Sequence, residues 1–189
     1  MKRICVYCGS SPGVSPVYAD AARGLAETLV QSKIGLVYGG SSKGIMGVIA
    51  DHVLELGGSA TGVIPQSLKE KEVAHLNLTE LHVVDSMHAR KTLMAVLSDG
   101  FIAMPGGTGT LEEIVESLTW AQLQFHEKPC GLLNVNGYFD HLLAFLDHAV
   151  TEGFLRAEHR HMLQVDDNPT ALLNKFRDYE APIVRKWVD

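Results

Sequence analysis

Gly100-Phe101-Ile102-Ala103-Met104-Pro105-Gly106-Gly107-Thr108-Gly109-Thr110-Leu111-Glu112-Glu113 decides the fold. A short apolar strand delivers three glycines and two threonines onto the start of a helix that runs to about residue 124. Strand, tight glycine turn and helix together form the unit from which parallel α/β sheets are built. The unit recurs on both sides. Upstream, a strand over 3–7 ends in Gly9-Ser10-Ser11-Pro12-Gly13. Ser15 then caps a helix with Pro16 at its first position, burying Ala19, Ala22, Leu25, Ala26 and Leu29 at helical spacing. Strands over 34–38, 60–64 and 81–84 follow, with helices over 45–56 and 87–97. Downstream come strands over 130–134 and 163–165, a helix over 139–151 and another opened by Asn168-Pro169. The polar stretch 66–79 predicts a loop or an irregular helix.

No repeat, linker or compositional break interrupts this alternation. The expectation is a single α/β domain over 1–189, Rossmann-like and three-layered, with a mostly parallel sheet. Ligands bind such sheets outside the carboxyl ends of the strands, at the switch point. The loops after Tyr7, Tyr38, Val84 and Met104 are therefore the candidate site.

The 189 residues are 46% hydrophobic and 20% charged, with 18 glycines and 7 prolines, which suits one globular core and excludes disorder and collagen-like repeats. Sixteen Lys and Arg against 22 Asp and Glu give a net charge of −6. That balance argues against a nucleic-acid binder, whose affinity rests on neutralising phosphates, but allows a small anion in a local pocket. Cys5, Cys8 and Cys130 are too few for a disulfide framework. No apolar run approaches the roughly 20 residues of a membrane span, and no signal-peptide core follows the first residues. A soluble, cytoplasmic protein with no membrane partner is expected.

Glycines 106, 107 and 109 let backbone approach an anion closely, and helix N–H groups with the dipole favour phosphate. Thr108 and Thr110 add hydroxyls; the plainer alternative is a turn whose glycines serve packing alone. There is no G-x-x-x-x-G-K-[ST], and no G-x-G-x-x-G follows the first strand, so neither a triphosphate nor NAD is supported. Glu112 and Glu113 lie about 100° apart on the helix. Only one can face a ligand, and periodicity does not choose between them. Arg90 and Lys91 sit at a helix start, where cations oppose the dipole. They serve a negative partner (substrate phosphate, or Glu112 and Glu113) unless they are a solvated pair. Cys5-x-x-Cys8 has no second pair, and reads as core or loop rather than as a zinc or redox motif. His159 and His161 read as solvent-facing or helix-end residues, not a metal site, and no G-x-S-x-G elbow follows a strand.

These residues resemble a known family. Pro105-Gly106-Gly107-Thr108-Gly109-Thr110-Leu111-Glu112-Glu113 is similar to the P-G-G-x-G-T-x-x-E signature of the LOG ("Lonely Guy") family. Its members are cytokinin riboside 5′-monophosphate phosphoribohydrolases, often labelled lysine decarboxylases. Cys8-Gly9-Ser10-Ser11, Val37-Tyr38-Gly39-Gly40, Gly44-x-Met46-Gly47, Met87-His88-x-Arg90-Lys91, Thr119-Trp120-x-Gln122-Leu123 and Gly137-Tyr138 fit as well. The resemblance spans roughly residues 3 to 180. Gln124 departs from it, standing where the family usually has glycine.

The resemblance implies hydrolysis of the N-glycosidic bond of an adenine-type nucleoside 5′-monophosphate, including AMP, to free base and ribose 5-phosphate. It makes Arg90 and Glu113 the catalytic pair. Gly106, Gly107, Thr108, Gly109, Thr110, Leu111, Glu112 and Glu113 would hold phosphate and ribose, with Glu72, Met87, Arg90, Lys91 and Thr119 lining the rest. It implies no metal, no organic cofactor, and a homodimer, for which Trp120, Leu123 and Phe125 offer an apolar patch if they are not core. A non-catalytic nucleotide or cofactor carrier on the same fold is the alternative. Pyridoxal-dependent decarboxylation is a third reading; it would need Lys43 or Lys91 as its Schiff-base lysine.

Overall fold

The computed structural model describes residues 1–69 and 74–182. Seven strands, β1 (Arg3–Tyr7), β2 (Gly35–Tyr38), β3 (Ala60–Pro65), β4 (Glu80–Val84), β5 (Phe101–Ala103), β6 (Cys130–Leu133) and β7 (Leu163–Asp166), form one sheet. Between and after them lie α1 (Val17–Gln31), α2 (Gly44–Glu55), α3 (Gln66–Lys69), α4 (Met87–Leu97), α5 (Thr108–Gln122), α6 (Asp140–Thr151), α7 (Ala157–His161) and α8 (Pro169–Arg177).

The central strands bury both faces, because successive side chains alternate across the sheet. Ile4 and Val6 join one apolar layer with Leu25 and Leu29 of α1, Ile49 of α2 and Phe176 of α8. Cys5 and Tyr7 join the other layer with Met94 of α4 and Ile114 and Leu118 of α5. The strand order is β4-β3-β2-β1-β5-β6-β7, with every paired strand parallel. From β1 the chain builds outward through β2 to β4, then crosses back to lay β5 on the other side of β1. The loops leaving β1 and β5 therefore diverge, and a crevice opens between them.

The sheet is more uniform than "mostly parallel"; among the described residues the antiparallel element is an isolated bridge between Ser41 and Ala74. Of three local expectations, two shift and that for the 66–79 stretch holds. Pro16 is the N-cap of α1 rather than its first helical residue, and Ser15 Oγ accepts only a 3.4 Å hydrogen bond from Val17 N. The polar 66–79 stretch begins with α3, a single turn. The segment after α6 forms α7, which buries His159 in place of exposing it, while His161 stays at the surface. Asn168 and Pro169 open α8 as anticipated, with Asn168 Oδ1 accepting from Ala171 N at 3.0 Å.

Candidate active site

A cleft of about 300 Å³ lies over the carboxyl ends of β1 and β5. Its floor is the start of α5. Gly107 is the N-cap in extended conformation with no side-chain cap, so the first-turn N–H groups of α5 are left for solvent or a ligand. The turn before it is clamped. Gly9 N donates to Pro105 O at 3.1 Å, and Tyr138 Oη donates to Gly106 O at 2.6 Å. A Cβ on Gly106 would lie 2.1 Å from Thr110 Oγ1 and 2.8 Å from Gly9 N, so this glycine is dictated by close backbone approach. Gly107 and Gly109 differ: nothing lies within 4 Å of where their Cβ atoms would stand.

One wall comes from α4. Ser86 caps that helix, accepting from Ala89 N at 3.1 Å, and thereby fixes the turn that carries Met87, Arg90 and Lys91. Arg90 Nε donates to Val63 O of β3 at 3.2 Å, and its Nη1 stands 3.2 Å from Glu113 Oε1. Both side chains are nearly buried, at 11% and 10% exposure. Gly39, at the end of β2, makes room for the guanidinium: a Cβ there would lie 2.1 Å from Arg90 Nη2.

Both glutamates line the cleft, Glu113 from a nearly buried position beside Arg90 and Glu112 from its exposed edge, with a 55% exposed side chain turned to Lys91. Burial pushes the Glu113 carboxyl above the ordinary glutamate range, and the neighbouring Arg90 charge offsets only part of that push. The ion pair lowers the cost that burial puts on ionising this carboxylate.

Lys91 is engaged elsewhere. Its Nζ lies 2.5 Å from Glu112 and 2.9 Å from Glu116, with the side chain 8% exposed. Desolvation lowers the affinity of this amine for its proton, but hydrogen bonds and charge from the two glutamates outweigh it and hold the ammonium above its ordinary value. Both cations of α4 thus find negative partners on α5, an ion-pair ladder that joins the two helices.

Met87, Arg90, Gly107, Thr108, Gly109, Thr110, Glu112 and Glu113 converge on the cleft. Gly106 lines instead an adjoining hollow of about 310 Å³, together with Tyr18 and Tyr138. Leu111 turns its side chain into the core and spends its amide on Gly107 O at 3.2 Å. Thr119 faces an apolar furrow between α5 and α6, not the cleft. Glu72 lies outside the described residues. Met46, Ser10 and Gly39 also line the cleft. The glycine loops after β1 and β2 signalled that region but not those particular contacts. Cys5 and Cys8 lie in the core, one of the two places read for them from the sequence, and Cys130 is buried and free as well.

A family model described as "Possible lysine decarboxylase" matches residues 46–176. A probable cytokinin riboside 5′-monophosphate phosphoribohydrolase of Oryza sativa subsp. japonica is 51% identical over 178 residues, 94% of this chain and 78% of the relative. A cytokinin riboside 5′-monophosphate phosphoribohydrolase of Arabidopsis thaliana is 48% identical over 179 residues, 95% of this chain and 78% of the relative. The chain belongs to the LOG family. The fold of this LOG-family protein extends to more distant chains. The molybdenum cofactor binding protein of Rippkaea orientalis superposes with a TM-score of 0.71 at 20% identity, over 94% of this chain and 97% of that one. The molybdenum cofactor carrier protein of Chlamydomonas reinhardtii gives 0.71 at 20%, over 94% and 99%. At that identity the likeness speaks for the shared three-layer architecture alone.

Proposed function

We propose that the protein hydrolyses the N-glycosidic bond of adenine-type nucleoside 5′-monophosphates, cytokinin riboside monophosphates and AMP among them, releasing free base and ribose 5-phosphate. The observation that carries this reading is that the buried Arg90–Glu113 pair and the uncapped α5 N-terminus line one cleft. The N-terminus and its glycine turn take the 5′-phosphate, a charge remote from the bond that breaks, and use it for positioning. Cleavage builds positive charge on the ribose, and the Glu113 carboxylate stabilises that charge and orients or deprotonates the attacking water. Arg90 offsets part of the burial penalty on the ionised Glu113 and aims it, with Met87 and Met46 as apolar wall. Arg90 and Glu113 are thus the catalytic pair, and no metal or organic cofactor enters the chemistry.

The test is to incubate purified protein with AMP and with an N6-prenylated analogue, and to chromatograph for free base. Binding without release would favour a carrier. Conversion of lysine to cadaverine would rescue the decarboxylase description. Lys91 is ill suited to that chemistry, since a Schiff-base lysine must give up its proton and two carboxylates hold this one.

The acid limb of kcat/KM for AMP, once the substrate's own phosphate ionisation is divided out, should have its midpoint above 4.5, the ordinary Glu113 value. Activity needs the ionised carboxylate, burial raises its pKa, and so activity is lost as pH falls through that raised value. A midpoint at or below 4.5 would count against Glu113 as the titrating base.

The active form is a homodimer on this reading. Val96 of α4 and Phe125 just beyond α5 are 71% and 74% exposed, beside half-buried Trp120 and Leu123. Thr119 lies too far along α5 to reach its own cleft. Dilution below the dimer's dissociation constant should lower specific activity, with light scattering following the mass; constant specific activity in the monomer would overturn it. Three unpaired thiols suit the reducing cytoplasm. Among the described residues no helix is long and apolar enough to cross a membrane.

A further inference from the structure

We infer that Tyr138 is a positioning residue for the phosphate cradle: its hydroxyl holds the Gly106 carbonyl and so turns the Gly107 N–H toward the nucleotide. The inference rests on the functional reading above and deepens it. A trans peptide places C=O and N–H on opposite sides of its plane. Tyr138, which lines the adjoining hollow and not the cleft, donates from Oη to Gly106 O at 2.6 Å, so the N–H of the same peptide, belonging to Gly107, points the other way. The preceding peptide is treated alike, because Gly9 N holds Pro105 O at 3.1 Å. Two successive carbonyl oxygens are thus each held by a donor within the protein. With glycine at both 106 and 107, neither residue has a side chain of its own to supply that restraint. A carbonyl free to flip would present a negative dipole to an anionic ligand, so orientation here decides attraction or repulsion.

Tyr138 is well held for the task. Its ring meets Tyr18 edge-on at 5.8 Å between centroids and Phe139 at 5.1 Å, and it follows the turn Val135–Gly137, where Asn136 has a φ of 52°. That turn links β6 to α6, outside the glycine signature itself.

Tyr138→Phe keeps the ring contacts and removes the hydrogen bond. The kcat/KM ratio of AMP to adenosine should fall about fivefold, the size expected from one lost neutral hydrogen bond. A general loss of folded protein would lower both substrates alike and leave the ratio standing. Calorimetry with ribose 5-phosphate should show a Kd raised by about the same factor. An unchanged ratio with an unchanged Kd overturns the assignment. If wild-type protein releases no base from AMP, the hydrolase reading fails by itself, and the ribose 5-phosphate titration still decides the role of Tyr138.

Discussion

Glu113→Gln should reduce base release from AMP by about 10³-fold in kcat while leaving ribose 5-phosphate bound at least as tightly as in wild type. The substitution nearly preserves shape and removes one charge. What it takes away is the group that stabilises positive charge on the ribose, and with it the base that orients water. What it leaves is the α5 N-terminus, the glycine turn and Arg90 with its anchor on Val63 O at 3.2 Å. Removing a carboxylate beside an anion site also relieves repulsion, so product affinity should hold or rise. Folding should be unharmed for a physical reason: burial already disfavours the ionised Glu113, and a neutral amide carries no such penalty. Stopped-assay chromatography paired with calorimetry separates the outcomes. A variant retaining a tenth or more of wild-type kcat would remove Glu113 from the chemistry. A variant that loses binding and turnover together would mean the carboxylate serves the architecture.

Which parts of this site were legible in the sequence follows from how local each one is. The cradle was legible because strand, glycine turn and helix start are contiguous in the chain, and the rule that places ligands at the carboxyl ends of parallel strands needs only the alternation of elements. The choice between Glu112 and Glu113 was not. Their 100° separation fixes that they diverge, whereas the face that meets the cleft depends on how α5 rolls against β1 and β5. The partners of Arg90 and Lys91 were narrowed to something negative by the helix dipole. Glu116 as the second partner of Lys91, at 2.9 Å, needed the packing of α4 beside α5.

Gly39 carries no sign of its purpose in sequence, since the guanidinium that excludes its Cβ arrives from an element some fifty residues later. Thr119 looked like a cleft residue by resemblance. It stands six positions beyond Glu113 on a helix rising about 1.5 Å per residue, roughly 9 Å away along the axis. The five-residue α7 escaped notice because so short a helix shows less than two turns of periodicity.

Gly106→Ala and Gly107→Ala should part company, although they are neighbours in one motif. The Cβ of Gly106→Ala would be forced to 2.1 Å from Thr110 Oγ1 and 2.8 Å from the backbone nitrogen of Gly9. Thr110 can rotate, but the β1 loop cannot yield without disturbing the 3.1 Å bond from Gly9 N to Pro105 O. Overpacking of this kind costs about 1–3 kcal/mol, so thermal unfolding should come several degrees earlier and activity should fall with it. Gly107 has a φ of −87°, a region open to alanine, and no atom within 4 Å of its Cβ direction. Gly107→Ala should therefore fold as well as wild type, or gain up to about 1 kcal/mol from a less flexible unfolded chain. Its methyl would instead occupy the space a phosphate needs against the α5 N-terminus. The expected result is a loss of about 10²-fold in kcat/KM for AMP with stability intact. Calorimetric melts and AMP kinetics on both variants decide the matter. Full activity in Gly107→Ala would mean that the phosphate does not sit on this turn, and the functional reading of the whole cleft would fall with it.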